Sequence, residues 1–175
     1  MTWTAPEVDR VITPLGLFTG DERALADGWL DFHRQTLLWK CGGLTAEQLK
    51  ARLLEPSRLS LLGLVRHLAE VERDWFRTRF GGAADGYLYC TDDDQTAEFE
   101  VRRADAPADF AVYHREIELV REQTRGHSLD ETYLDPRRGE PISLRWVYGS
   151  LIQEYARHNG HADLLRERID GRTGH

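Results

Sequence analysis

Apolar residues recur along most of the chain at the three- and four-residue steps of an α-helix, and glycine and proline divide them into four long segments. The first starts near Asp21, carries Leu25, Trp29, Phe32, Thr36 and Trp39, and closes at Gly42-Gly43, where glycine readily takes the left-handed cap. A short helix follows, because Thr45 with Gln48 three residues on is a capping-box pattern and Pro56 ends it. The second long helix opens around Ser60, shows Leu64, Leu68, Val71 and Trp75, and stops at Gly81-Gly82. A third begins after Asp105 with Pro107 in its first turn and runs through Phe110, Tyr113, Ile117 and Val120 to Gly126. Ser143 caps the last, which ends at Gly171.

Helices of about 20 residues are roughly 30 Å long, the dimension of a four-helix bundle. The predicted fold is therefore all-α: a four-helix bundle with long connections and a short extra helix, in a single domain spanning residues 1–175. The connection Gly81 to Ala104 is long for a compact domain, and contains Asp92-Asp93-Asp94 with Tyr87, Tyr89 and Phe99. Its acidic triplet lacks the glycine and distal glutamate of a calcium loop and reads as a solvated charge run. The connection His127 to Ile142, with Pro136, Gly139 and Pro141, reads as polar turn sequence.

Three polar groups interrupt the apolar stripe of the last helix. Val147, Leu151, Ala162 and Leu165 define that stripe, yet Glu154, His158 and His161 fall within it at spacings of four and three. His67 is the matching intruder in Leu61-Leu62-Gly63-Leu64-Val65-Arg66-His67-Leu68. Burying such groups without partners costs several kcal/mol, so they face one another, an ion or a cavity. Residues four apart lie one above the other on a helix, so Glu154 and His158 can offer two ligands to one ion, with His67 as the third. Two imidazoles and a carboxylate suit an open Zn²⁺ site and also Ni²⁺, Fe²⁺ or Mn²⁺. The same groups can instead form a metal-free hydrogen-bond network. His161 is expected to orient a ligand, line a cavity or hydrogen-bond within the core. Glu70 and Asp74 follow His67 at three and seven residues, where they could join the site, but are expected rather to face solvent or pair with Arg73 and Arg77. His33 and His114 read as boundary residues, and His127 and His175 fall in a turn and at the terminus.

Composition narrows the function. Among 175 residues, 41% are hydrophobic, enough for one sizeable core, and the apolar runs are too short to span a membrane. No export signal is evident, so the expected location is cytoplasmic. A formal charge of -7 argues against nucleic acid as partner. Cys41 and Cys90 form no CxxC and read as reduced, incidental thiols. Glu-x-x-His, His-Glu-x-x-His, G-x-S-x-G and P-loop patterns are absent, which removes di-iron, zinc-peptidase, serine-hydrolase and nucleotide-triphosphatase readings.

The phrase Gly63-Leu64-Val65-Arg66-His67-Leu68-Ala69-Glu70-Val71-Glu72-Arg73-Asp74-Trp75-Phe76 and the phrase Glu154-Tyr155-Ala156-Arg157-His158-Asn159-Gly160-His161-Ala162-Asp163-Leu164-Leu165-Arg166-Glu167 together resemble the DinB-like superfamily. Within it the chain is similar to a branch related to mycothiol-dependent maleylpyruvate isomerases and thiol transferases. The resemblance implies a divalent metal near one end of a four-helix bundle, with His67 and His158 matching the family's first and last histidines. Many members have histidine four residues before the last ligand, whereas the mycothiol-dependent isomerases have glutamate, as this chain does at Glu154. Relatives often carry histidine at the position of Ser150. The isomerases also have an additional C-terminal domain, so maleylpyruvate isomerisation itself is not expected here.

The expected function is metal-dependent transfer of a low-molecular-weight thiol such as mycothiol to an electrophilic small molecule, with the metal lowering the sulfur pKa. His161 would orient a ligand or shuttle a proton, and Arg157 or Arg145 would meet a carboxylate of cofactor or substrate. The alternatives are a metal-assisted hydrolase and a non-catalytic metal-binding stress-response module. Trp29, Trp39, Trp75 and Trp146 more than fill one core, which points to a homodimer.

Overall fold

In a computed structural model, which describes residues 2–12, 18–135 and 138–174, the chain is mostly helical. Pro136 and His175 lie outside the described residues. The helices are α1 (Glu22–Cys41), α2 (Ala46–Lys50), α3 (Leu61–Glu72), α4 (Ala106–Thr124) and α5 (Leu144–Asp170). Asp21, Thr45, Ser60, Asp105 and Ser143 cap them, each side chain accepting a backbone N–H three residues on. Such a cap is worth about 1 kcal/mol, and it places each helix start where the polar residue sits. Beyond Glu72, α3 widens into a π-type segment, Arg73–Phe80, which closes with Gly81 N–H bonded to the Phe76 carbonyl at 3.0 Å.

The long helices bury one continuous apolar cluster, with α1 packed chiefly on α5 and α3 on α4. Leu61, Leu62, Leu64, Val65, Leu68 and Ala69 are all buried, so α3 is apolar around most of its circumference, as a central helix must be. On α5, Val147, Leu151, Ala162 and Leu165 face the core as expected. No helix among the described residues is long and apolar enough to cross a membrane.

Two expectations need correction. The buried face of α1 is Leu30, Arg34, Leu37, Leu38 and Cys41, not the stripe through Trp29, Phe32 and Trp39. A buried arginine conceals the true period: Arg34 Nε and Nη2 donate to the two oxygens of Glu72 at 2.7 and 2.6 Å. Tyr155 Oη adds a bond to Glu72 at 2.9 Å and meets the Tyr113 hydroxyl at 3.0 Å. One hydrogen-bonded chain thus touches α1, α3, α5 and α4 inside the bundle. Trp29 and Trp146 are 43% and 47% exposed, in keeping with more tryptophan than one core takes. Secondly, the connection before α5 holds an antiparallel hairpin, β1 (Thr132–Asp135) and β2 (Glu140–Ser143), with Thr132 opposite Ser143. Four-residue strands, one containing Pro141, are too short and too polar to show a two-residue period.

The connection between α3 and α4 is ordered against α3. Glu70, expected to face solvent or pair with Arg73 or Arg77, is instead buried and accepts the backbone N–H groups of Leu88, Tyr89 and Cys90 at 2.7 to 3.2 Å. A short 3₁₀ turn, Ala97–Phe99, follows and sits on the first half of α3. Gly63 permits that approach, because a Cβ there would lie 3.2 Å from Phe99 Cδ1. Asp92, Asp93 and Asp94 are exposed, as a solvated charge run should be.

Candidate metal centre

Ser60 starts α3 so that His67, two turns on, points toward α5, where the four-residue step stacks Glu154 and His158. Glu154 Oε1 lies 3.2 Å from His67 Nε2 and 3.0 Å from His158 Nε2. The three ligand atoms all fall within 4.8 Å of one another, and the two imidazole centroids are 4.7 Å apart. Ligands held about 2.0–2.2 Å from one ion stand roughly 3.0–3.5 Å apart at octahedral to tetrahedral angles. The two nitrogen–oxygen separations fall within that range. His158 is the most enclosed of the three, while Glu154 keeps a quarter of its side chain in contact with solvent, so the cluster is reachable from outside.

Electrostatics at the cluster favour a charged carboxylate beside one neutral imidazole. The hydrogen bond from His67, helped by the nearby histidine charges and opposed by burial, lowers the Glu154 pKa from 4.5 to about 2. Burial, reinforced by the charge of His67, pushes His158 down from 6.5 to about 4, so its ring is neutral at pH 7. His67 moves the other way: burial opposes its charge, but hydrogen bonds to Glu154 and Glu98 outweigh it and raise the pKa.

The surroundings contain groups that sequence reasoning missed. His67 Nδ1 lies 3.1 Å from Glu98 Oε1, and the Cys90 thiol donates to Glu98 Oε2 at 2.9 Å. Phe99 stacks on the His67 ring at 5.2 Å. Neither Glu98 nor Cys90 lies on a periodic face, so no spacing signal pointed to them. Burial and the hydrogen bond to Glu98 push the Cys90 thiol up to about 12, and burial does the same to Cys41. Both thiols stay protonated at neutral pH.

Of the other residues singled out in the sequence, His161 is adjacent, its Nδ1 3.3 Å from His158 Nδ1. Arg157 is exposed at the mouth, with Nη1 3.7 Å from Glu154 Oε2. Arg145 is not brought to the cluster. It lies nine residues before Glu154 on α5, about 13 Å along the axis at 1.5 Å per residue, and its guanidinium is held by Glu22 at 2.6 and 2.9 Å and by Asp130. Asp74 accepts from Arg79 at 2.9 Å. His33 takes the Asn159 side chain on its carbonyl at 3.0 Å, His127 pairs with Glu131 at 2.7 Å, and His114 is exposed.

A family profile described as Mycothiol-S-transferase matches residues 25–171, from the first turn of α1 to the glycine that caps α5. The chain belongs to the mycothiol-S-transferase family. The matched span of this family member contains α3, the turn bearing Glu98 and the whole of α5, and so every group of the cluster. No curated protein and no solved structure matches the chain.

Proposed function

We propose that this chain is a divalent-metal-dependent S-transferase that joins a low-molecular-weight thiol of the mycothiol type to an electrophilic small molecule. The observation that carries this reading is the convergence of His67, Glu154 and His158, within 4.8 Å, in a chain of the mycothiol-S-transferase family. These three residues would hold the ion, and zinc is the ion proposed, because two imidazoles and one carboxylate with open positions match its preference. A divalent cation held there supplies the Lewis acidity that lowers a thiol pKa toward neutrality.

The chain's own groups then have defined tasks. The Glu154 carboxylate, ionised down to about pH 2, brings negative charge to the ion. His158, neutral at pH 7, presents Nε2 once its proton rests on Nδ1, where His161 Nδ1 at 3.3 Å can accept it. His161 thereby orients His158 and is placed to pass a proton to solvent. Arg157, exposed beside the mouth, meets a carboxylate of thiol or acceptor. Arg145 is left out of the site because its partners Glu22 and Asp130 already occupy it. The apolar cluster running from Ala5 to Leu165 supports a single working domain, and exposed Trp29 and Trp146 support a homodimer, which light scattering measures.

The test begins with elemental analysis of protein purified without a metal-binding tag. One divalent ion per chain is expected, with loss of the ion in His67→Ala and His158→Ala. Conjugation of bromobimane to mycothiol and to other small thiols is then followed beside a panel of esters, amides and phosphoesters. Metal-loaded protein that accelerates no thiol conjugation, or that hydrolyses the panel instead, would sink the transferase reading.

A further inference from the structure

We propose that Glu98, delivered by the connection between α3 and α4, is a positioning residue that holds His67 by Nδ1 and thereby aims Nε2 at the Glu154–His158 pair. This rests on the reading of His67 as a metal ligand. An imidazole on a helix can rotate about its last torsion and can carry its proton on either nitrogen. A carboxylate facing Nδ1 removes both freedoms: it accepts the Nδ1 proton, which leaves the Nε2 lone pair for an ion, and it makes that lone pair more basic.

Four features show that Glu98 is built into this position. Its side chain is almost completely buried, with Oε1 3.1 Å from His67 Nδ1 and Oε2 taken by the Cys90 thiol at 2.9 Å. Its backbone carbonyl accepts Arg66 Nε at 2.8 Å, from the residue preceding His67 on α3. The next residue, Phe99, lies over the His67 ring and against Gly63, where a Cβ would stand only 3.2 Å from Phe99 Cδ1. Upstream, Glu70 clamps three successive backbone N–H groups, Leu88 to Cys90, and so fixes the segment that supplies the thiol. His67 thus has a partner on each nitrogen, Glu98 behind and Glu154 in front. The connection, which carries no periodic signal in the sequence, supplies the rear wall of the metal centre.

The test measures zinc affinity by chelator competition in wild type, Glu98→Gln and Cys90→Ser, with the melting temperature of each zinc-free protein. It adds the nitrogen–proton correlation spectrum of the histidines in zinc-loaded wild type. Glu98→Gln is expected to weaken zinc 10- to 100-fold, the usual effect of removing such a partner. Its zinc-free melting temperature should stay close to wild type. Cys90→Ser, which keeps a donor to Oε2, should retain wild-type affinity. In wild type the spectrum should show a slowly exchanging proton on His67 Nδ1 and zinc on Nε2, a readout that does not depend on any variant folding. Zinc on Nδ1, or equal affinity in Glu98→Gln and wild type, overturns the assignment of Glu98 while leaving the metal site intact. A wild-type protein that takes up no zinc or other divalent ion overturns the metal site itself, and this inference with it.

Discussion

Replacing Arg34 by methionine tests whether the buried polar chain ties together the two helices that carry the proposed ligands. Methionine retains an apolar stem of similar length but removes the two bonds to Glu72, at 2.6 and 2.7 Å, and the bond to Asp31 at 2.8 Å. Glu72 is fully buried and would keep its bond from the Tyr155 hydroxyl while losing its guanidinium. Breaking a buried pair by removing one partner costs about 3–5 kcal/mol, mostly the penalty of the carboxylate left behind. At roughly 2–4 °C per kcal/mol for a chain of this size, the melting temperature should fall by about 6–20 °C. Removing both partners, as in Arg34→Met with Glu72→Met, takes away the stranded group and should recover most of that loss. Urea unfolding of wild type, both single variants and the double variant, all in chelator so that no ion contributes, gives the coupling energy directly. A loss below about 1 kcal/mol in Arg34→Met, or a double variant as unstable as the single, would refute the reasoning. Glu72 lies on α3 five residues after His67, and Tyr155 follows Glu154 on α5, so the single variant should also weaken zinc binding.

Two further outcomes follow from the geometry around the cluster. His67 has a raised pKa, so its contribution to stability in the metal-free protein is complete below pH 6.5 and disappears as pH rises through that raised value. An ion must displace this proton from Nε2, so zinc binding just above pH 6.5 should release up to about one proton and tighten with pH; calorimetry in buffers of different ionisation heat counts it, and zero release would contradict the assignment. Glu70→Gln weakens three charge-assisted bonds to backbone N–H groups, each worth about 1.5–3 kcal/mol. Hydrogen exchange at Leu88, Tyr89 and Cys90 should speed up while the middle of α5 stays protected, and unchanged exchange at those three amides would show that the clamp is not what orders the segment.

Helix starts were readable because capping is local chemistry: Asp21, Thr45, Ser60, Asp105 and Ser143 act through their own side chains within three residues. The meeting of His67 with Glu154 and His158 was readable for a related reason, since a polar group on an otherwise apolar face needs company. What escaped reading depends on tertiary contacts. Arg34 occupies a core position that a hydrophobic pattern records as polar, and its partner is 38 residues away. Glu70 looks like an ordinary helix-surface acid until the amides of residues 88–90 arrive beside it. Glu98 belongs to a stretch with no period at all, placed by the contacts of its turn with Gly63 and Arg66 on α3 rather than by any spacing of its own.

The wide turn that ends the second long helix shifts the phase of every side chain beyond it. Within it, Arg73 and Arg77 reach the same Glu116 on α4 while Phe76 between them stays in the core. A homologue lacking one residue there would keep His67 and Glu70 where they are and would present a different edge at the far end. The stretch that carries His67 and the stretch beyond the wide turn are therefore free to diverge separately, and alignments across Arg73–Phe80 should carry single-residue gaps that leave the candidate metal centre untouched.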